Sequence, residues 1–201
     1  MTLLTSGVYF KDMRWIIKKT WPIIFISVLT ACGAAGSAGE ILLIDEMAQI
    51  DFDIDYPVGQ ITKGVTVKQD FVSNADVISQ IWLYGATYMR DNTATVNVSL
   101  YKMGDAASAS SYGDLIDSWV IDSSEMEDNS IIKLDADTGG AVNHDLKGAS
   151  CIIVIESPDG EPDLSPTFWM TEEDVYPDGN LTIGDYAQYN DLWFQVVGRE
   201  N

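Results

Sequence analysis

The sequence is poor in three kinds of residue that build common functional sites. It has 2 cysteines and 1 histidine in 201 residues, which is too few for a disulfide framework or a typical zinc or haem site. Its 11 lysines and arginines stand against 31 aspartates and glutamates, giving a formal charge of −20. Because so little cationic surface is left for a polyanion, we expect no nucleic-acid partner. A hydrophobic content of 46% also argues against a disordered acidic tail.

Long apolar runs are missing too, and the one near the N-terminus is short. Residues 21–31 are uncharged and follow four cations, Lys11, Arg14, Lys18 and Lys19. This run falls short of the roughly 20 residues that a membrane span needs, and it fits a secretory signal instead. Residues 33–39 are all Gly, Ala or Ser, a composition typical of a flexible tether.

The end of this run, Leu29-Thr30-Ala31-Cys32, resembles the lipobox of bacterial lipoprotein precursors. In that family the cysteine thiol is diacylglycerated and the bond before it is cleaved. The resemblance implies a signal peptide over 1–31, whose true start is Met1 or Met13, and a lipidated Cys32 at the mature N-terminus. It further implies an exported protein whose membrane partner is reached through acyl chains. Gly33 occupies the position at which an aspartate commonly retains such lipoproteins at the inner membrane. The absence of that aspartate favours the outer membrane or the cell surface.

The rest of the chain is punctuated by turn-forming clusters, and short alternating runs lie between them. In 95–101, Val96, Val98 and Leu100 alternate with polar residues, and the apolar run 152–155 is typical of a fully buried strand. We assign the acylated cysteine and the tether to 32–48, and we expect few helices beyond the Gly/Ala/Ser tract, with 41–48 as the one candidate. The pattern predicts an all-β chain with a single antiparallel β-sandwich domain over 49–201, either jelly-roll-like or immunoglobulin-like. A jelly roll is favoured because the Cys, Trp, Cys pattern of immunoglobulin domains is missing.

From residue 59 to 197 the order of motifs resembles an accessory jelly-roll domain of bacterial envelope and glycan-handling proteins. The residues that carry this order are Gln60, Phe71, 81–84, 86–92, 96–101, 115–121, Asp128-Asn129, Lys147-Gly148, 151–157, 168–170, 176–179 and 191–194. The resemblance implies a noncatalytic sandwich, often suspected of binding sugars, and it transfers no catalytic residue.

Aromatic residues are the first candidates for a ligand site, because the apolar face of a pyranose stacks on Trp or Tyr rings. The positions nearest to predicted loops and strand ends are Trp169, Tyr176, Tyr88 with Arg90, and Trp82 with Tyr84. The alternative is that these rings fill the core, as most aromatic residues of a sandwich do. Trp193 and Phe194 should point to opposite faces of one strand, so both are buried only if both faces are covered.

Acidic turns suggest a second kind of site. Asp135 and Asp137 begin a segment that starts like a calcium loop, although Gly139 and Leu146 replace the acidic ligands of an EF-hand. A candidate Ca²⁺ site, the only cofactor expected, would combine Asp135 and Asp137 with Asp174 or Asp178. The alternative is a solvated turn.

Catalytic motifs are scarce. The sequence contains no nucleophile elbow, HExxH, P-loop or GxGxxG. Cys151 lies in a predicted buried strand, where we expect it to act as a small hydrophobic residue. We therefore expect a lipid-anchored, noncatalytic protein that binds a glycan or another envelope ligand. The alternatives are a structural or assembly subunit that contacts a protein partner, and a hydrolase that uses paired acids such as Glu172 and Glu173.

Overall fold

The computed structural model describes the backbone of residues 41–45 and all of residues 55–104 and 112–200, which belong to one compact unit. The predicted signal peptide 1–31 and Cys32 lie outside the described residues. Strands make up nearly all of the regular structure: β1 (Ile41–Asp45), β2 (Tyr56–Pro57), β3 (Thr66–Val72), β4 (Val77–Ala86), β5 (Thr95–Lys102), β6 (Asp114–Asp122), β7 (Ser130–Asp135), β8 (Ser150–Glu156), β9 (Thr167–Met170), β10 (Leu181–Ile183), β11 (Tyr186–Ala187) and β12 (Phe194–Arg199). The helical structure of the described residues is a single 3-10 turn, Ser123–Glu125. None of these residues therefore forms a helix with the length and hydropathy of a membrane span.

The strands form two antiparallel sheets. Sheet 1 has the order β1-β12-β4-β9-β2, with β7 also paired to β4, and sheet 2 has the order β11-β10-β3-β8-β5-β6. The chain passes repeatedly between the sheets, so that β1, β12, β4 and β7 are neighbours in one and β3, β8, β5 and β6 in the other. This is the neighbour order of a jelly roll. The predicted all-β, jelly-roll-like sandwich is confirmed.

Alternation along the strands places the core between the sheets. In β5, Val96, Val98 and Leu100 are completely buried, while Thr95, Asn97 and Ser99 are half-buried. The central strand β8, which lies between β3 and β5, is buried on both faces from Cys151 to Ile155. Both strand predictions are confirmed.

The N-terminal end of the sandwich differs from the prediction. Ile41–Asp45 lies within the segment expected to be a tether, and it forms strand β1 along the edge of β12, with Leu42 opposite Val197. The described sandwich therefore begins at Ile41 and not at 49. Periodicity alone cannot distinguish a strand from a helix in so short an apolar run, which is why the sequence allowed a helix within 41–48.

Candidate functional site

Four aromatic side chains lie on the outer face of sheet 1. In β4, Ile81 and Leu83 point into the core, so Trp82 and Tyr84 point away from it. Trp169 lies between two core residues of β9 and also points outward. Trp193 precedes the core residue Phe194 at the start of β12. We call Trp82, Tyr84, Trp169 and Trp193 the aromatic face.

Three of the four rings of the aromatic face are in contact through Tyr84. The centroid of the Tyr84 ring lies 6.4 Å from that of Trp169 and 4.7 Å from that of Trp193, both edge to face. Across the β4–β7 pair, Trp82 is opposite Lys133, whose Nζ atom lies 3.6 Å from the centroid of the Trp82 ring. Such edge-to-face and cation–π contacts hold side chains in fixed orientations. The face is therefore a preorganised cluster.

Exposure differs across the face. Trp82, Tyr84 and Trp169 are half-buried, whereas Trp193 is only 4% exposed. Phe194 is completely buried on the opposite side of β12, so both faces of this strand are covered at its start. The solvent-accessible part of the aromatic face consequently lies at Trp82, Tyr84 and Trp169.

A polar network borders Trp169. The indole Nε1 of Trp169 donates a hydrogen bond to Oδ1 of Asn129 over 3.0 Å, and Nδ2 of Asn129 donates to Oδ2 of Asp128 over 3.1 Å. Oδ1 of Asp128 accepts hydrogen bonds from the backbone N–H of Thr87, at 2.6 Å, and from its hydroxyl, at 3.0 Å. Asn129 is exposed, so its amide is a polar group held in place beside an aromatic ring.

Two pKa shifts accompany this network. Burial alone would raise the pKa of Asp128, but the hydrogen bonds from Thr87, Met89 and Tyr88 outweigh it and lower the pKa below its ordinary value. The pKa of Tyr84 is raised, first by burial and then by the charge of Asp128. At neutral pH, Asp128 is therefore an anion and Tyr84 keeps its hydroxyl proton.

The turn after β4 has unusual backbone geometry. Tyr88 and Met89 have φ angles of 58° and 54°, a left-handed conformation that residues other than glycine rarely adopt. This conformation lets successive backbone N–H groups converge on the Asp128 carboxylate. Strain of this kind costs about 1–3 kcal/mol per residue and is concentrated at functional sites.

The predicted pair Tyr88 and Arg90 lies on this turn. The Arg90 guanidinium is 4.7 Å from the centroid of the Tyr88 ring, and its Nη1 atom is 2.8 Å from Oδ1 of Asp163. Asp128 joins this turn to Asn129 and hence to Trp169. Trp169 in turn contacts Tyr84, so hydrogen bonds and ring contacts join the turn that carries Tyr88 and Arg90 to two of the outward-facing rings.

Tyr176 lies elsewhere. Its hydroxyl accepts a hydrogen bond from the backbone N–H of Val72 over 3.1 Å, and its ring meets Phe194 edge to face at 5.9 Å. The side chain packs against the core. The alternative stated for the aromatic residues, that they fill the core, therefore describes Tyr176.

The predicted calcium ligands do not assemble into one site. Oδ1 of Asp135 accepts a hydrogen bond from Gln80 over 2.6 Å, and Oδ1 of Asp137 accepts one from the N–H of Gly139 over 2.9 Å. The contact between Asp137 and Gly139 belongs to a solvated turn, which was the alternative to a calcium site. Asp174 and Asp178 are exposed on the β9–β10 loop. In the part of the chain that the structure describes, no three His, Cys, Asp or Glu side chains are grouped to hold a metal ion.

Cys151 is a core residue. Its side chain is completely buried in β8, and burial raises the pKa of its thiol to about 12, an effect that Lys102 only partly offsets. The thiol is therefore protonated and shielded from solvent, unlike a catalytic thiolate. This position confirms the interpretation of Cys151 as a small hydrophobe.

Sequence reasoning missed Trp193 and Asn129 as members of this region. Alternation with Phe194 indicated that Trp193 could face outward, and the turn cluster before β7 drew attention to Asn129. Neither pattern showed which strands would be neighbours.

Comparison with protein-family models, curated proteins and solved structures finds no match for this chain. Its own residues are thus the basis for assigning a function.

Proposed function

We propose that this chain is a lipid-anchored, noncatalytic protein of the bacterial envelope that binds a glycan on the aromatic face. One observation carries the proposal: three half-buried rings, Trp82, Tyr84 and Trp169, are gathered on the outer side of one sheet. The exposed part of such a ring is an apolar surface on which the apolar face of a pyranose stacks.

Polar groups beside these rings would take the sugar hydroxyls. Asn129 uses one amide hydrogen for Asp128 and accepts one hydrogen bond from Trp169. An amide has two hydrogens and two acceptor positions, so Asn129 retains capacity for a ligand. Its orientation is set from both sides, which lowers the entropy that binding would otherwise cost.

The electrostatics of this region support binding over hydrolysis. A glycosidase needs a carboxylic acid with a raised pKa to protonate the leaving oxygen, together with a second carboxylate across a cleft. Asp128 has a lowered pKa, and five hydrogen-bonding contacts with Thr87, Tyr88, Met89 and Asn129 occupy it. Its role is to hold the turn and Asn129 in place.

The anchor is proposed from the lipobox. Acyl chains on Cys32 would attach the protein to the membrane, since a surface with a formal charge of −20 repels anionic headgroups. Gly33 favours the outer membrane or the cell surface, where envelope glycans are accessible.

A glycan array tests the ligand class. The full chain, extracted in mild detergent, is compared with Trp169→Ala and with Tyr189→Ala, a control on a loop tyrosine that is 93% exposed. Loss of a stacking ring should weaken binding by about tenfold or more, the equivalent of 1.4 kcal/mol. Tyr189→Ala should bind as the parent chain does.

Two outcomes would overturn the glycan proposal. In the first, Trp169→Ala binds as tightly as the parent chain, which would move the site away from the aromatic face. In the second, no glycan binds, which would leave the structural or assembly subunit as the better function. Crosslinking in intact envelopes would then look for a protein partner.

A further inference from the structure

A second surface lies on another flank of the sandwich, between two edge strands. Strand β6 ends sheet 2, and β7 pairs with β4 alone. In the described ranges neither strand has a neighbour on its other side. Edge strands present unpaired backbone groups, and extended peptides often bind along them.

The two edges flank an open groove of about 420 Å³, lined by both apolar and acidic side chains. Ile121 and Ile132 form its floor and pack against the core. Val120 and Ile131 line it and are 75% and 45% exposed. Met126, from the connection between the strands, completes the apolar lining. We call this the β6–β7 groove.

Hydrogen bonds limit the length of the groove. At one end the indole Nε1 of Trp119 donates to the carbonyl oxygen of Asp135 over 2.8 Å, and Oδ2 of Asp117 accepts from the N–H of Asp137 over 2.7 Å. At the other end residues 123–129 connect the strands. The groove runs along three residues of each strand, roughly 10 Å at the rise of an extended chain.

The rim of the groove is anionic. Asp122, Glu125 and Glu127 line it, and none of the residues that line it is Lys or Arg. Hydrogen bonds from the hydroxyl and the backbone N–H of Ser124 lower the pKa of Asp122, so this carboxylate stays charged in mildly acidic solution. A second copy of the chain would bring the same negative rim and be repelled. The complementary occupant is cationic.

We propose that the β6–β7 groove binds a short extended segment of a partner protein, in which an apolar side chain is flanked by Lys or Arg. The apolar side chain lies on Ile121, Ile132 and Met126, and the cations face the carboxylates of the rim. None of the residues that line the groove belongs to the aromatic face, and the proposal does not depend on glycan binding.

Fluorescence anisotropy with defined peptides tests the proposal on the full chain in mild detergent. The probe is acetyl-Lys-Leu-Lys-Val-Lys-amide carrying a fluorophore, and acetyl-Lys-Ser-Lys-Ser-Lys-amide has the same charge without apolar side chains. The first peptide should bind about tenfold tighter or better, since two buried aliphatic side chains exceed 1.4 kcal/mol.

Variants locate the binding. Charge reversal at the rim, Glu125→Lys with Glu127→Lys, should weaken the apolar peptide by about tenfold or more because it turns attraction into repulsion. The matched control reverses two exposed acids on the β9–β10 loop, Glu172→Lys with Glu173→Lys. It changes the net charge equally and should have little effect.

Two results would overturn the proposal. Equal binding of the serine peptide would mean general attraction to an acidic protein, and equal weakening by both pairs of substitutions would mean that the groove is not the site. Trp169→Ala separates the two proposals, because it should weaken glycan binding and leave peptide binding unchanged. Failure of either proposal is thus visible without failure of the other.

Discussion

Gln69 offers a sharp test of how the sandwich is held together. It is completely buried in β3 on the face that points to the core. Its Nε2 atom donates to Oδ1 of Asp191 over 3.0 Å, and its Oε1 atom accepts from the N–H of Leu192 over 2.7 Å. Oδ2 of Asp191 accepts from the N–H groups of Val175 and Tyr176, at 2.9 and 2.8 Å. The network joins β3, the β9–β10 loop and the start of β12.

Gln69→Leu keeps the side-chain volume and removes all three side-chain hydrogen bonds, the third of which runs from Nε2 to the carbonyl oxygen of Asp70 over 3.1 Å. It leaves the N–H of Leu192 and one carboxylate oxygen of Asp191 buried without these partners, at about 1–3 kcal/mol each. Burial of the new apolar side chain returns about 1–2 kcal/mol. The middle of these ranges gives a net loss in the free energy of unfolding of about 2.5 kcal/mol, a large share of the 5–15 kcal/mol typical of a domain.

Urea unfolding of the full chain measures this loss as a lower midpoint at an unchanged slope. The control is Gln188→Leu, since Gln188 is only half-buried and its side chain donates to the loop carbonyl of Tyr186. The control should change stability by less than about 1 kcal/mol. Equal losses in the two variants, or no loss in Gln69→Leu, would refute the role assigned to the buried network.

Three further predictions concern single groups. Burial raises the pKa of Asp191 above its ordinary 3.8, while hydrogen bonds from Tyr176, Gln69 and Val175 partly oppose the rise. The stability that its protonation contributes is complete below pH 3.8 and is lost as pH rises through the pKa of the folded state. In urea unfolding the parent chain should therefore gain stability relative to Asp191→Asn between pH 7 and pH 3, and an unchanged difference would contradict this. Cys32→Ser should abolish membrane partitioning and the shift to the mature mass, as followed by fractionation and mass spectrometry, whereas unaltered processing would rule out the lipoprotein assignment. In that variant Cys151, with a pKa of about 12 and no exposed surface, should react with a thiol reagent only on unfolding, and rapid labelling of the native protein would contradict its place in the core.

The fold was largely visible in the sequence because sheets impose a period of two on buried residues. The alternation of Val96, Val98 and Leu100 and the unbroken apolar run of β8 both predicted their strands. The short run at Ile41–Asp45 carried no such period, so its place beside β12 came only from the structure.

The site was visible only in pieces. Alternation puts Trp82 and Tyr84 on one face of β4, but their meeting with Trp169 and Trp193 depends on β9 and β12 lying beside β4. Gln69 shared a face with Val67 and Phe71, whereas its partner Asp191 is 122 residues away in the chain. Long-range sheet order of this kind is not encoded in local patterns.

Fluorine NMR on fluorotryptophan-labelled protein tests the glycan proposal most directly. The described residues include Trp82, Trp119, Trp169 and Trp193, and Trp→Phe substitutions assign each signal. Oligosaccharides released from bacterial envelopes should shift the Trp169 and Trp82 signals and leave that of Trp119, which lies at the end of the β6–β7 groove, unchanged. A Trp119 signal that moves as much as that of Trp169, or a Trp169 signal that does not move at all, would contradict a glycan site on the aromatic face.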